Sequence, residues 1–139
     1  MALIHGGDTE GYRLEYGHAP LDFSTNCNPL GVPEGVQQAI HDAVVYADAY
    51  SDPLCRHLCA AIAKNRDILP PQVLCGNGAA DLIYRLALAR KPGRAIVTAP
   101  TFAEYELALK TIGCKVIQHL LKPEDGFILT DSILARLNP

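Results

Sequence analysis

Apolar residues recur at helical spacing in several stretches of the chain. Between residues 34 and 48 they include Val36, Ile40 and Val44, and Pro33 stands just before the first of them. Because Pro suits the entrance of a helix, this spacing predicts a helix over 34–48 and a second one beginning at Pro53. The same spacing predicts helices after Gly78, over 102–111 and over the amphipathic stretch 131–137.

Three short apolar runs alternate with these helices in the second half of the chain. They cover residues 73–75, 95–98 and 115–119, and none alternates between polar and apolar positions. Strands covered on both faces have this character, and strands separated by helices pair in parallel through right-handed crossovers. The pattern predicts an α/β domain with a doubly wound, mostly parallel sheet.

The pattern also predicts an incomplete domain. Three strands are fewer than the about five or six of a doubly wound sheet. Residues 1–33 are rich in Gly, Pro, Asn and aromatic residues and are expected to form an extended arm with turns, followed by a domain portion over 34–139. We therefore expect the chain to be the first part of a longer protein that continues beyond Pro139.

The composition indicates a globular protein and disfavours nucleic-acid-binding, membrane-spanning and secreted proteins. Hydrophobic residues make up 49% and charged residues 19% of the 139 positions, which is typical of a globular protein. A net charge of -3 without clustered Lys and Arg disfavours nucleic-acid binding, and no apolar run is long enough for a membrane span or a secretory signal. Five cysteines in such a chain indicate reduced thiols and a cytoplasmic location.

Cys55 and Cys59 flank His57 in a Cys-x-His-x-Cys pattern that raises the question of a metal site. On a helix the two cysteines share one face while the histidine points elsewhere, and no second ligand pair follows at zinc spacing. Thiols without a metal are the favoured interpretation, and no metal site is expected.

The segment from Val73 to Asp81 joins an apolar run to a helix through Gly76-Asn77-Gly78. The first N–H groups of a helix lack intrahelical partners, and glycine allows close approach of a ligand to the backbone. Such a turn favours a phosphate site. It lacks the third glycine of a dinucleotide fingerprint, and a tight turn with nothing bound is the alternative.

Five segments together resemble the fold-type I pyridoxal-phosphate aminotransferase family, in the branch of histidinol-phosphate aminotransferases and threonine-phosphate decarboxylases. Each segment is short, but their order and spacing match the first third of that family over essentially the whole chain. They are His5-Gly6-Gly7-Asp8, the stretch from Asp22 to Gly31, Tyr50-Ser51-Asp52-Pro53, the stretch from Gly76 to Ile83, and the stretch from Ala99 to Tyr105.

The resemblance implies a pyridoxal 5′-phosphate cofactor and assigns residues to it. The backbone amides of Gly78, Ala79 and Ala80 match the positions that hold the cofactor phosphate, and Phe102 matches the aromatic residue that stacks on the pyridine ring. Tyr50 matches a tyrosine that reaches the cofactor of the neighbouring subunit, which implies a homodimer. A core phenylalanine and a turn tyrosine are the plain alternatives.

The resemblance also implies residues that bind a phosphorylated amino-acid substrate. Asn26 matches a position near the substrate carboxylate, although Asn before proline is also ordinary turn chemistry. His5 and Gly6 match an arm that folds over the active site in the decarboxylases and is usually missing from the aminotransferases. Without the resemblance, a histidine near the chain terminus would be expected to have no function.

No catalytic residue is expected in this chain. The family needs a lysine that forms a Schiff base with the cofactor, an aspartate at the pyridine nitrogen and an arginine for the substrate carboxylate, and all lie beyond the equivalent of Pro139. Lys110, Lys115 and Lys122 fall outside the Schiff-base motif. The isolated chain is therefore expected to be inactive.

Three functions remain open from the sequence. The first is a part of a decarboxylase that makes aminopropanol phosphate for cobalamin synthesis, favoured by His5. The second is a part of a histidinol-phosphate aminotransferase. The third is a non-catalytic module for phosphate binding or dimerisation.

Overall fold

The computed structural model of the chain describes residues 6–137. They form two compact units, one ending at Cys55 and the other beginning at Arg56. The division of the whole protein into an arm over 1–33 and a domain portion over 34–139 stays a prediction.

The first unit contains two helices, of which only the second was predicted. Helix α1 spans Thr9–Tyr16 and α2 spans Glu34–Ala43, continued by a 3-10 turn at Val44–Tyr46. The arm was expected to be extended, so α1 is a correction. Its caps explain it: Asp8 Oδ1 accepts a hydrogen bond from the Gly11 amide at 2.9 Å, and Gly17 ends the helix with φ 76°.

The second unit is built from helices and two strands in the order expected of an α/β protein. Single 3-10 turns lie at Pro70–Gln72, Pro123–Asp125 and Asp131–Ile133. The longer elements are α3 (Arg56–Arg66), α4 (Gly78–Arg90), β1 (Arg94–Ala99), α5 (Ala103–Thr111), β2 (Lys115–Leu120) and the one-turn α6 (Leu134–Leu137).

The two strands pair in parallel, as predicted. Arg94 stands opposite Lys115 at one end of the ladder, and Ala99 stands opposite Leu120 at the other. Helix α5 connects them, so the β1-α5-β2 unit confirms the α/β class and the parallel pairing.

The strand predicted over residues 73–75 does not form within the described residues. Val73 has extended dihedrals, with φ -109° and ψ 126°. A strand also needs a hydrogen-bonded neighbour, and neither β1 nor β2 pairs with this segment. The apolar run therefore gave the backbone conformation correctly but not the pairing.

Helix α3 begins three residues later than predicted. The Asp52 carboxylate accepts a hydrogen bond from the Leu54 amide, and the Asp52 carbonyl accepts one from the Cys55 amide at 3.0 Å. This turn places Cys55 at φ 48°, in the left-handed region that interrupts a helix. Pro53 therefore belongs to the turn, and Arg56 opens the helix.

The core of the second unit consists of small side chains. Ala63 of α3, Ala87 of α4 and Ala108 of α5 are buried, together with Cys114 and His119 at β2. Small residues allow α4 and α5 to approach each other and the sheet closely. Several larger apolar side chains, Leu86 among them, remain more than half exposed, so few side chains of this unit are fully buried.

Candidate functional site

The turn before α4 places its backbone against the helix that follows. A Cβ on Gly76 would lie 2.7 Å from Leu82 Cδ2 and 2.8 Å from Asp81 Oδ2, which is closer than real Cβ atoms approach. Gly78 has φ +79°, a conformation that L side chains rarely adopt. Gly78 is therefore required for its dihedral, whereas a side chain at position 76 would force the side chains of Leu82 and Asp81 to shift.

The first amides of α4 are arranged differently from the predicted set of three. The Gly78 amide donates to the Gly76 carbonyl at 3.0 Å, so it already has a partner within the turn. The Asn77 side chain makes no capping hydrogen bond to the helix. The amides of Ala79 and Ala80 thus remain the donors at the positive end of the helix dipole.

Asp81 holds this turn from inside the helix. Its Oδ2 accepts from the Asn77 amide at 2.9 Å, and its Oδ1 accepts from Arg85 Nε at 2.8 Å. The Asn77 hydrogen bond and, to a smaller extent, Arg85 lower the pKa of Asp81 against the opposing effect of burial. A carboxylate here would repel an anion, and the ion pair with Arg85 offsets that charge.

Phe102 lies between β1 and α5. The chain leaves β1 at Ala99, passes through the cis Ala99–Pro100 bond, and starts α5 at Ala103 with Phe102 in the extended N-cap position. The Phe102 ring packs edge to face on Tyr105 with 5.9 Å between centroids, and the residue is 45% exposed. An aromatic ring that is 45% exposed is accessible for stacking on a flat group.

Helices α4 and α5 pack against each other in the second unit. The Tyr84 side chain, two turns into α4, hydrogen-bonds Glu104 in the first turn of α5. Partial burial raises the pKa of Tyr84, and the bond to Glu104 raises it further. This contact links α4 to the first turn of α5, just after Phe102.

A cavity of about 570 Å³ lies between α4, β1 and α5. Its lining is mainly apolar and includes Ile83, Leu86, Val97 and Leu109. Neither Phe102 nor the amides of the α4 turn line it. The cavity is a packing space between the helices and the sheet, separate from the candidate phosphate site.

In the first unit, the described end of the arm is fixed to the loop that contains Asn26. The Gly7 amide donates to Ser24 Oγ at 2.9 Å, and Gly6 packs so closely on Ser24 that it has no room for a side chain. His5 lies outside the described residues. Gly6 therefore lies against the loop that contains Asn26, at Ser24, two residues before Asn26 in the sequence.

Asp22 organises this loop and was not singled out as functional from the sequence. Its Oδ1 accepts from the amide and hydroxyl of Ser24, and its Oδ2 accepts from Thr25 Oγ1 at 2.7 Å. These bonds, led by the Ser24 hydroxyl, lower the pKa of Asp22. The Asp-x-Ser-Thr pattern, typical of carboxylate-centred turns, was the available signal.

Tyr50 and Asn26 are both solvent-exposed, Tyr50 completely so. Neither is brought to another predicted cofactor residue within its own unit. Their assigned roles stay predictions.

The cysteine pattern does not form a metal site in residues 6–137, where no group of three or more His, Cys, Asp or Glu is placed to hold an ion. Cys55 precedes α3 and does not share its face with Cys59, which corrects the assumption that both lie on one helix. Among the same residues, no helix is long and apolar enough to cross a membrane.

Comparison with known proteins gives a family match. Residues 19–139 match the family model described as aminotransferase class I and II. The chain is 38% identical over 145 aligned positions to the threonine-phosphate decarboxylase of Salmonella typhimurium, with all of this chain and 40% of that protein covered. It is 31% identical to the adenosylcobalamin biosynthesis bifunctional protein CobDQ of Leptospira interrogans, with 90% of this chain and 15% of that protein covered.

A solved structure supports the fold. The crystal structure of the histidinol-phosphate aminotransferase from Clostridium acetobutylicum superposes with a TM-score of 0.72 at 26% identity, covering 85% of this chain and 34% of the other. The fold-type I architecture expected from the sequence is thereby confirmed. The chain spans well under half the length of the relatives it matches.

Proposed function

The chain belongs to the aminotransferase class I and II family, and on that premise we propose that it supplies the cofactor-phosphate site of a pyridoxal-phosphate-dependent decarboxylase acting on threonine phosphate. The product would be aminopropanol phosphate for cobalamin synthesis. The observation that carries the proposal is the start of α4, where a glycine turn leaves the amides of Ala79 and Ala80 as donors.

The residues present fit the phosphate and the ring of pyridoxal 5′-phosphate. The α4 amides would hold the phosphate through the helix terminus, and Phe102 would lie on the face of the pyridine ring. Gly76 and Asp81 would keep the turn in place for the phosphate. When bound, the cofactor supplies an electron sink for bond cleavage at the substrate α-carbon.

The choice of decarboxylation over amino transfer concerns the orientation of the substrate. Decarboxylation is supported by the similarity of the chain to the threonine-phosphate decarboxylase of Salmonella typhimurium and to the adenosylcobalamin biosynthesis protein of Leptospira interrogans. The anchored Gly6-Gly7 segment beside the Asn26 loop adds a second support. In the proposal this arm binds the substrate phosphate through His5 and excludes water, while Asn26 orients the carboxylate.

A histidinol-phosphate aminotransferase is the second candidate. It is favoured by the structural likeness to the Clostridium acetobutylicum enzyme. Both candidates share the α4 phosphate site and differ only in the substrate, so the site itself does not discriminate between them.

The proposal includes a cytoplasmic homodimer. Tyr50 is completely exposed within its unit, as expected of a side chain that reaches a neighbouring subunit.

The test is turnover by the protein produced from its full coding sequence and loaded with pyridoxal phosphate. With O-phospho-L-threonine we expect release of carbon dioxide and aminopropanol phosphate without a keto-acid acceptor. With histidinol phosphate and 2-oxoglutarate we expect no glutamate. Glutamate formation without carbon dioxide release would establish the aminotransferase instead.

A further inference from the structure

Cys59 and Cys75 lie in direct contact beside the candidate phosphate site. Their Sγ atoms are 3.6 Å apart, and Cys59 Sγ also donates to the Val73 carbonyl at 3.7 Å. Cys59 lies on α3, and Cys75 lies in the segment that leads into Gly76. Both residues are half-buried, so a small reagent reaches them without unfolding of the unit.

We propose that Cys59 and Cys75 form a reversible disulfide that controls the conformation of the glycine turn before α4. A disulfide bond requires the two sulfur atoms at about 2.05 Å. From 3.6 Å, the sulfur atoms must therefore approach each other by roughly 1.5 Å. Part of that movement is made by side-chain rotation, and the rest by the backbone at Cys75.

A movement of Cys75 is passed on to the turn because the neighbouring Gly76 is held by close contacts. Gly76 follows Cys75 directly and packs against Leu82 and Asp81 of α4. The Gly76 carbonyl also accepts from the Gly78 amide at 3.0 Å. A displacement of Cys75 therefore changes the hydrogen bonds that place the Ala79 and Ala80 amides.

The oxidant in the proposal is a low-molecular-weight disulfide such as glutathione disulfide. One cysteine thiolate attacks a sulfur of glutathione disulfide, its S–S bond breaks, and the first glutathione leaves. The second cysteine thiolate then attacks the protein sulfur of the mixed disulfide and releases the second glutathione. Two cysteine thiols are oxidised, one glutathione disulfide is reduced to two thiols, and the two protons go to the glutathiones.

Trypsin separates the cysteines and makes the first test direct. Cys59 falls in peptide 57–64, Cys75 in 67–85 and Cys114 in 111–115, while Cys27 and Cys55 share 14–56. The chain is treated with glutathione disulfide, quenched in acid, alkylated, digested without reductant and analysed by mass spectrometry. We expect 57–64 joined to 67–85 as the dominant cross-link, lost on reduction. Cross-links distributed among all cysteines, or glutathione adducts alone, would overturn the proposal.

Matched variants separate the pair from its neighbour. Cys59→Ser and Cys75→Ser should each abolish the cross-link, whereas Cys55→Ser, four residues away in sequence, should leave it unchanged. If Cys59→Ser instead forms a cross-link between Cys75 and Cys55 in similar yield, the disulfide is not specific to the pair Cys59 and Cys75.

The effect on the turn is measured by amide hydrogen exchange of residues 76–82 in the reduced and oxidised chain. We expect at least a threefold change in exchange rate there, absent in oxidised Cys59→Ser. Identical exchange in both states would refute control of the turn. This readout needs no ligand. We also expect inorganic phosphate to bind more weakly after oxidation, and this expectation rests on the proposed function. If the reduced chain binds no phosphate, that result counts against the proposed function and not against the disulfide.

Discussion

At the residue scale, two glycines and one aspartate define the candidate site. The sequence showed that Gly76 and Gly78 precede a helix, and it indicated an anion site from that pattern alone. It did not show that the Gly78 amide is already bonded to Gly76, because a two-residue closure depends on exact dihedrals. The Gly78 amide has a partner within the turn, and the assignment of the cofactor phosphate to the amides of Gly78, Ala79 and Ala80 stays a prediction.

Replacing Gly76 with alanine should destabilise the second unit. The added Cβ would contact Leu82 and Asp81 at under 3 Å, and overpacking of this kind costs about 1–3 kcal/mol. Urea unfolding of the two proteins gives the difference. Gly93→Ala is the matched control, since nothing lies within 4 Å of its added Cβ. Equal stability of Gly76→Ala and Gly93→Ala would show that the turn is looser than described.

The lowered pKa of Asp81 predicts an acid-dependent loss of stability. Its hydrogen bond to Asn77 favours the ionised form in the folded state. This contribution is present above the unfolded pKa of about 3.9 and is lost as pH falls through the lower folded value. Asp81→Asn should therefore flatten the stability profile below about pH 4. The urea midpoint of unfolding is measured for both proteins across that pH range. The same pH dependence in both proteins would show that the Asp81 carboxylate does not stabilise the turn.

At the element scale, the spacing of apolar residues predicted the helices and strands that pack against one another. It missed the features that depend on local hydrogen bonds. Helices α4 and α5 and strands β1 and β2 agree closely with the sequence because apolar spacing reflects burial. The late start of α3 and the presence of α1 depend on single carboxylates, Asp52 and Asp8, which spacing does not register. The missing strand at 73–75 shows that an apolar run specifies an extended backbone but not its neighbour.

The arm of the first unit yields a prediction at this scale. Ser24→Ala removes the acceptor of the Gly7 amide. A hydrogen bond of this kind contributes about 0.5–1.5 kcal/mol, so amide exchange at Gly7 should accelerate roughly threefold to tenfold. Ser132→Ala, which disrupts a hydroxyl pair with Thr130 in the other unit, is the control. Unchanged exchange at Gly7 would mean that the arm is held by other contacts.

At the scale of the whole molecule, the family assignment and the local geometry support each other from independent directions. The resemblance assigns the cofactor phosphate to the start of α4 by matching positions, and the structure shows a glycine turn there without a side-chain cap from Asn77. The predicted substrate residues Gly6 and Asn26, and the predicted cofactor residue Tyr50, are less determined by the sequence, because they lie in a unit whose helices contain no buried residue. Their roles depend on contacts beyond local sequence.

The central claim is that the amides at the start of α4 bind the cofactor phosphate. Ala79→Pro removes one of these donors, and proline is tolerated in the first turn of a helix. Ala103→Pro makes the same change at the start of α5, where the extended Phe102 suits a following proline. Equilibrium dialysis of pyridoxal phosphate against the protein from its full coding sequence measures the affinity of each variant.

Loss of a hydrogen bond to a charged group costs about 1.5–3 kcal/mol, so Ala79→Pro should bind pyridoxal phosphate at least about tenfold more weakly. Ala103→Pro should stay within about twofold of the unchanged protein. Circular dichroism would verify that both variants fold. Equal affinity of a folded Ala79→Pro, or equal affinity of the unchanged protein for pyridoxal and pyridoxal phosphate, would contradict the account.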